Sequence, residues 1–156
     1  MDFIEIKPDT VRIYPTIVLE NTELATLYKK GEYIPPSLNK SIINCSEFYE
    51  MFSKHNISVI RLGLHNINED TYVAGPWHPA FSQLCMSNIY YENVKKALLS
   101  DGTKNFTLYV NPSEISNFVG QKRSNINKFK DMGFFIQVVG NEEVNVGDFR
   151  LERKVK

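Results

Sequence analysis

The sequence predicts an α/β fold organised in two parts, residues 1–101 and 102–156. In the first part, two short β-branched strands flank helical patterns, which is typical of a βαβ unit with parallel strands. In the second part the order changes to strand, helix, helix, strand, strand, which is typical of a small α+β domain. The change falls at Asp101 and Gly102, two turn-forming residues that follow a long helical pattern.

The first part opens with a strand at residues 11–14, where β-branched and aromatic residues precede Pro15. Thr22 then begins a short helix that continues to Lys30. Ser37 is the predicted N-cap of a longer helix, whose apolar side chains recur every three or four positions. The side chains of this stripe are Leu38, Ile42, Cys45, Phe48 and Phe52.

A second strand and a long helix complete the first part. Residues 59–64 form a nearly continuous apolar run, which predicts a strand covered on both faces. A polar loop at 65–72 and a rigid, proline-bracketed turn at 74–79 follow. The long helix is predicted over residues 80–99. Two different sides of this helix are apolar, so we expect it to contact two bodies.

The second part begins with a strand at residues 106–110. Asn111 and Glu114 then have the spacing of a capping box, at the start of a helix that ends at Gly120. A second helix ends at Gly133, and its inward-facing side chains are predicted to be Ile126, Phe129 and Met132. The remaining predicted elements are strands at residues 134–139 and 149–153.

Composition narrows the classes of function. The net charge is zero, so binding to nucleic acid or membrane would need a local charged patch. No apolar run approaches the ~20 residues that span a bilayer, and the start lacks the features of a signal peptide. Only Cys45 and Cys85 occur, which favours a cytoplasmic location. Two separated cysteines also cannot ligate an iron–sulfur cluster or a structural zinc ion, so no metal site is predicted.

Cations gather where the second helix of the C-terminal part begins. Free backbone amides at a helix start, with Lys122 and Arg123 beside them, predict a phosphate site. The order of elements around this turn resembles a KH domain, an RNA-binding module whose GXXG loop clamps the nucleic-acid backbone. Here Arg123 replaces the second glycine of that loop. The predicted nucleic-acid-binding residues are Gly120, Gln121, Lys122, Arg123, Asn125, Lys128 and Lys130. The alternative is that these cations only keep an exposed helix face in contact with solvent and bind nothing.

Six phrases, in order along nearly the whole chain, resemble one family of enzymes. They are KPDTVRIYPT (7–16), NTEL (21–24), GEY (31–33), VIRLGL (59–64), AGPWHPAF (74–81) and GQKRSNI (120–126). They are similar to the C-terminal half of radical S-adenosylmethionine enzymes of the elongator catalytic-subunit type. Bacterial members are often described as oxygen-independent coproporphyrinogen oxidase-like.

The resemblance implies a partial β/α barrel whose N-terminal strands carry three cysteines that bind a 4Fe–4S cluster. In such enzymes the cluster cleaves S-adenosylmethionine to a 5′-deoxyadenosyl radical, and the elongator relatives act on the wobble uridine of transfer RNA. This sequence lacks the cysteine triad. We therefore expect it to comprise the last strands of the barrel and a KH-like domain, and to bind neither cofactor alone. Its expected partners are the N-terminal half and transfer RNA, with no membrane.

The resemblance also assigns positions. It places Arg61, Leu62, Gly63 and Leu64 on a late barrel strand that lies along the adenosine of the cofactor, where Gly63 would admit close approach. The alternative is a buried strand in which Arg61 pairs with an acid. A candidate cleft, near the strand ends where barrel sites lie, comprises Arg12, Tyr14, Glu23 and His78. Their alternatives are an ion pair, a packed tyrosine and a histidine that braces its own loop. No residue is assigned a catalytic role.

Three functions stay open from the sequence alone. The first is the RNA-binding and substrate-enclosing part of a tRNA-modifying enzyme, inactive by itself. The second is part of a coproporphyrinogen oxidase-like enzyme that acts on a small molecule, and the third is a stand-alone RNA-binding or adaptor module. An incomplete barrel would leave the strands at 11–14 and 59–64 unpaired at one side, which predicts a homodimer.

Overall fold

The computed structural model describes residues 3–64, 67–98 and 104–154. The chain divides into two compact units, Met1–Cys85 and Met86–Lys156, which we call unit 1 and unit 2. The boundary predicted at residues 101 and 102 lies outside the described residues. The mixed α/β class predicted from the sequence is confirmed in both units.

Unit 1 contains the predicted parallel strand pair. The helix α1 (Phe3–Ile6) precedes β1 (Thr10–Ile13), and β1 pairs in parallel with β3 (Ser58–Leu62). A second pair was not predicted: β2 (Val18–Leu19) lies antiparallel to β4 (Tyr72–Ala74). The polar-loop prediction for residues 65–72 was therefore wrong at its end, because a 3₁₀ turn at Glu69–Thr71 leads directly into β4. His65 lies outside the described residues.

Two helices of unit 1 begin where the sequence predicted, whereas α1 was not predicted. The hydroxyl of Thr22 accepts a hydrogen bond from the Ala25 amide (3.1 Å) at the start of α2 (Glu23–Lys29). Ser37 does the same for Lys40 (3.3 Å) at the start of α3 (Leu38–Lys54). Such caps satisfy backbone donors that have no partner within the helix.

Two packing predictions in unit 1 were wrong. Phe48, expected in the buried stripe of α3, is 49% exposed, although Cys45 and Phe52 of the same stripe are buried. The strand β3 was expected to be covered on both faces, yet Ile60 is 55% exposed. Both side chains are apolar and reach solvent in this chain, so the helical periodicity and the apolar run that predicted their burial describe a larger core than unit 1 contains.

Helix α4 (Phe81–Leu98) begins in unit 1 and ends in unit 2, as expected of a helix with two apolar sides. In unit 2, β5 (Asn105–Val110) is the central strand of the order β6-β5-β7. It pairs in parallel with β6 (Phe135–Gly140) and antiparallel with β7 (Phe149–Arg153). The core of unit 2 comprises Tyr90, Val94, Leu98, Phe106, Leu108, Val110, Phe118 and Phe129.

Between β5 and β6 the chain forms a 3₁₀ turn (Pro112–Glu114), α5 (Ile115–Val119), a second 3₁₀ turn and α6 (Ser124–Asp131). Asn111 caps the first turn, but the expected capping box does not form. The carboxylate of the buried Glu114 accepts hydrogen bonds from the Tyr90 hydroxyl and the Gly147 amide instead. Met132, expected to face inward, is 39% exposed.

Candidate functional site

The turn between α5 and α6 presents two cations on an unusual backbone. Lys122 and Arg123 both adopt left-handed conformations, with φ of 50° and 62°. Both side chains are exposed. Arg123 thus has, without being glycine, the kind of backbone conformation that glycine adopts most readily. The two residues directly precede the first helical residue of α6, Ser124.

Gly120 is required at the start of this turn by packing. Its φ is 77°, and a Cβ built on it would lie 2.4 Å from the Ser124 hydroxyl oxygen and 3.1 Å from that of Ser87. The glycine therefore lets the turn approach α6 and α4 closely. This contact gives Gly120 a structural role, whether or not a ligand approaches the turn.

Asn125 fixes the same turn from inside unit 2. Its side chain is 2% exposed, and its Nδ2 donates to the Ser87 carbonyl (2.9 Å), the Ser87 hydroxyl (3.0 Å) and the Phe118 carbonyl (3.2 Å). Predicted to bind nucleic acid, Asn125 is instead committed to internal hydrogen bonds, so we leave it out of the candidate surface. Ser87 is the partner that sequence reasoning missed.

Further cations of α6 lie beside aromatic rings. The Nζ of Lys128 is 4.7 Å from the centroid of the Tyr91 ring, and Lys95 approaches the same ring at 5.6 Å. The pair Tyr91 and Lys95 was missed, although their spacing of four on a helical pattern could have indicated it. Lys130 lines a groove of about 240 Å³, whose walls include Ile126 of α6 and Phe135 of β6. Gln121 is exposed and does have a partner within the structure.

In unit 1 the predicted site residues lie on and near the strand pair. Arg12 of β1 is the direct register partner of Arg61 of β3. Arg12 is exposed and Arg61 half-buried, and none of the ion pairs among the described residues involves either one. The acid partner that was the alternative for Arg61 is therefore not found in the described part of the chain.

The rest of the predicted cofactor segment is internal. Leu62 is buried and Leu64 half-buried. Gly63 has φ of 85°, and a Cβ built on it would lie 2.7 Å from the Phe81 ring. Its amide donates to the Ile13 carbonyl (2.9 Å), which extends the strand pair by one residue. The close neighbour of Gly63 in this structure is thus Phe81 at the start of α4.

The other candidate cleft residues are less closely associated. Tyr14 is 44% exposed and lines a groove of about 360 Å³ along β1, together with Phe48 and Met51 of α3. Glu23 is exposed in the first turn of α2, where Glu20 rather than Glu23 pairs with Lys29 (2.8 Å). The Nδ1 of His78 accepts a hydrogen bond from the Ala80 amide (3.0 Å), which is the loop-bracing geometry.

The residues of this chain do not fit an iron–sulfur cluster. A cluster is held by several deprotonated thiols, and the sequence has only two cysteines, both buried. Burial raises the pKa of Cys45, and burial with the nearby Cys45 charge raises that of Cys85 to about 12. In the described ranges, His, Cys, Asp and Glu form no group of three that could hold a metal ion. Those ranges also contain no helix with the length and apolarity of a membrane span.

Comparison with known proteins identifies the family of this chain. A tRNA uridine(34) acetyltransferase of Methanocaldococcus jannaschii is 55% identical over 31 residues, which cover 20% of this chain and 6% of that protein. An uncharacterized protein of the same archaeon is 30% identical over 98 residues, which cover 63% of this chain and 30% of that protein. The chain thus matches less than a third of either relative's length. No solved structure matches it. The family described as Radical_SAM C-terminal domain matches residues 8–91, more than half of the chain, and the chain therefore belongs to this family.

Proposed function

We propose that the chain is the C-terminal part of a radical S-adenosylmethionine enzyme that modifies transfer RNA. The observation that carries this proposal is the family match over residues 8–91, together with the similarity to a tRNA uridine(34) acetyltransferase. The relatives are much longer than the matched segment, which supports a role as one portion of a larger enzyme. S-adenosylmethionine and the 4Fe–4S cluster then belong to that larger protein, since the two buried thiols here do not suit a cluster.

Unit 1 supplies one side of the barrel in this proposal. The groove along β1 is lined mostly by apolar side chains, and Tyr14 and Phe48 are nearly half exposed. Among the described strands, β1 pairs only with β3, so its other edge offers backbone groups for a further strand. We assign this edge and groove to the N-terminal half. Without it the chain is expected to be inactive, and the free edge is expected to pair with a second copy.

Unit 2 supplies RNA binding in this proposal. Lys122 and Arg123 stand exposed at the start of α6, where a helix attracts anions. Lys128 and Lys130 continue the cationic surface along the same helix. The KH-like character of unit 2 is part of the proposal, with the side chain of Arg123 taking over contacts that a second glycine would leave to the backbone.

Binding to transfer RNA tests this assignment. We expect the wild-type chain to bind tRNA at low salt, and Lys122→Ala/Arg123→Ala to weaken binding and to reduce the slope of log affinity against log salt by about 1–2, since each neutralised phosphate contributes about 0.7–0.9. Fluorescence anisotropy with labelled tRNA measures both quantities.

The matched control removes two other exposed cations of unit 2. Lys96→Ala/Lys104→Ala lowers the charge equally but lies away from the α5–α6 turn in the sequence. It should leave the affinity within about twofold, because distant exposed charges are largely screened. Equal losses of tRNA affinity in both double variants would show that net charge, and not the α5–α6 turn, causes the effect. Absence of tRNA binding by the wild type at low salt would favour the coproporphyrinogen oxidase-like or adaptor alternative.

A further inference from the structure

Arg12 and Arg61 face each other across the strand pair of unit 1. They are register partners, flanked on one side by the pair Ile13 and Leu62. Ile13 and Leu62 are buried, each 8% exposed. Because successive side chains of a strand point to opposite faces, the two arginines project from the face opposite to that of Ile13 and Leu62. Neighbouring strands lie about 4.8 Å apart, so the two arginine side chains leave the sheet from adjacent backbone positions.

A shift in strand register creates this pairing. The register runs from Val11 opposite Val59 directly to Arg12 opposite Arg61, so Ile60 is an extra residue without a register partner. Without this shift, Arg12 would lie opposite Ile60, and Arg61 would share the face of Ile13. The shift therefore places two cations side by side.

The two cations have no counter-ion in the described part of the chain. No carboxylate there forms an ion pair with either arginine. Like charges directly opposite each other on neighbouring strands destabilise a sheet. A bound anion would turn this repulsion into attraction, and the guanidinium fork matches the two oxygens of a carboxylate or phosphate.

We infer that Arg12 and Arg61 form a binding site for an oxyanion, either a phosphate monoester or a carboxylate, on the face of the strand pair opposite to Ile13 and Leu62. The site uses residues of unit 1 only. It rests on the strand register and on charge, and it is independent of the proposed binding of RNA by unit 2. A phosphate monoester and a carboxylate share one chemistry here, because each offers a pair of oxygens that two guanidinium groups can hold.

Thermal unfolding of the intact chain in chloride, acetate and inorganic phosphate at equal ionic strength tests the site. Phosphate stabilises most folded proteins slightly by exclusion, so the comparison is between variants. In the anion that the site binds, the melting temperature of the wild type should rise about 4 °C more than that of Arg12→Gln/Arg61→Gln. Lys40→Gln/Lys54→Gln, which removes two cations of α3 in the same unit, should keep the wild-type increment. A gain in phosphate identifies a phosphate ligand, and a gain in acetate a carboxylate ligand.

A second measurement covers the case in which the double variant folds poorly. Line broadening of the ³¹P resonance, or of the acetate methyl resonance, reports binding to the wild type directly. Arg12→Lys/Arg61→Lys keeps the charge but lacks the fork, and should weaken binding about tenfold. Equal increments in the wild type and in Arg12→Gln/Arg61→Gln would overturn the inference. So would an unbroadened resonance for both anions at low salt.

Discussion

At the scale of single residues, the turn before α6 carries backbone strain. An L-residue in the left-handed region costs about 1–2 kcal/mol, and Lys122 and Arg123 are both in it. Both side chains are exposed, so packing in the core does not require these residue types. Strained backbones of this kind concentrate at sites that bind ligands, which is consistent with the proposed phosphate contacts.

Replacing Arg123 by glycine should therefore separate stability from binding. We expect Arg123→Gly to raise the free energy of unfolding by about 0.5–1 kcal/mol, because glycine adopts this backbone without a Cβ clash. Its affinity for tRNA should fall. Urea denaturation with an unchanged slope measures the first effect. Lys128→Gly, within the regular turns of α6, is the control and should destabilise by about 1 kcal/mol.

The Cys85 thiol predicts a pH dependence of stability. Its pKa rises from 9.0 to about 12 on folding, because burial disfavours the thiolate. Between these values the unfolded chain loses a proton that the folded chain keeps, so stability is complete below pH 9 and falls as the pH rises. Between pH 8 and 10 the loss from this thiol should be about 1 kcal/mol.

Cys85→Ala tests the assignment. The substitution lowers stability at every pH by opening a small cavity, but it should flatten the decline between pH 8 and 10 relative to the wild type. Urea denaturation at the two pH values gives the difference. An identical decline in both proteins would mean that another group, such as the buried Cys45, causes it.

At the scale of elements, one buried side chain links the α5–α6 turn to α4 by hydrogen bonds. The amide of Asn125 connects Ser87 of α4 with the Phe118 carbonyl at the end of α5. Gly120 fits against the same serine. The position of the basic turn thus depends on buried polar contacts, which are costly to leave unmade.

Asn125→Ala should destabilise unit 2 by about 2–3 kcal/mol, because it leaves the buried Ser87 hydroxyl and the Phe118 carbonyl without this donor. It should also weaken tRNA binding by displacing the turn. Asn127→Ala, on the exposed side of the same helix, is the matched control and should change stability by less than about 0.5 kcal/mol. Comparable losses in both variants would show that the asparagine contacts are not what holds the turn.

The helices and longer strands could be predicted from the sequence because their caps and periodicity are local signals. Thr22, Ser37 and Asn111 each begin an element at the predicted residue. The pair β2 and β4 could not be predicted, because strands of two and three residues show no alternation and are stabilised by distant pairing. The partnership of Arg12 with Arg61 depends on a shift in strand register, which leaves no local sequence signal either.

At the scale of the whole molecule, unit 1 leaves large apolar side chains exposed to solvent. Tyr14, Phe48 and Ile60 remain exposed, although Phe48 and Ile60 were predicted to be buried. The proposed function gives a reason, because in a larger enzyme these side chains would pack against the rest of that protein. Contacts with that remaining part would account for the position of Phe48 in the apolar stripe of α3, from which burial was predicted.

The groove along β1 therefore predicts association of the isolated chain. We expect a concentration-dependent dimer by light scattering, and Phe48→Glu should make the chain monomeric by placing a charge in the groove. Ile43→Glu, on the same helix and 43% exposed but outside the groove, should leave the dimer intact. A wild type that stays monomeric at high concentration would contradict the predicted pairing of free strand edges.

Both cysteines of the chain, Cys45 and Cys85, lie buried in unit 1, and unit 2 contains none. An alkylating reagent can therefore modify the protein only when unit 1 opens, because reaction requires an accessible thiolate. Mass spectrometry of the alkylated chain would then record the opening of unit 1 alone. The two native thiols thus report the local stability of this unit, with no engineered label.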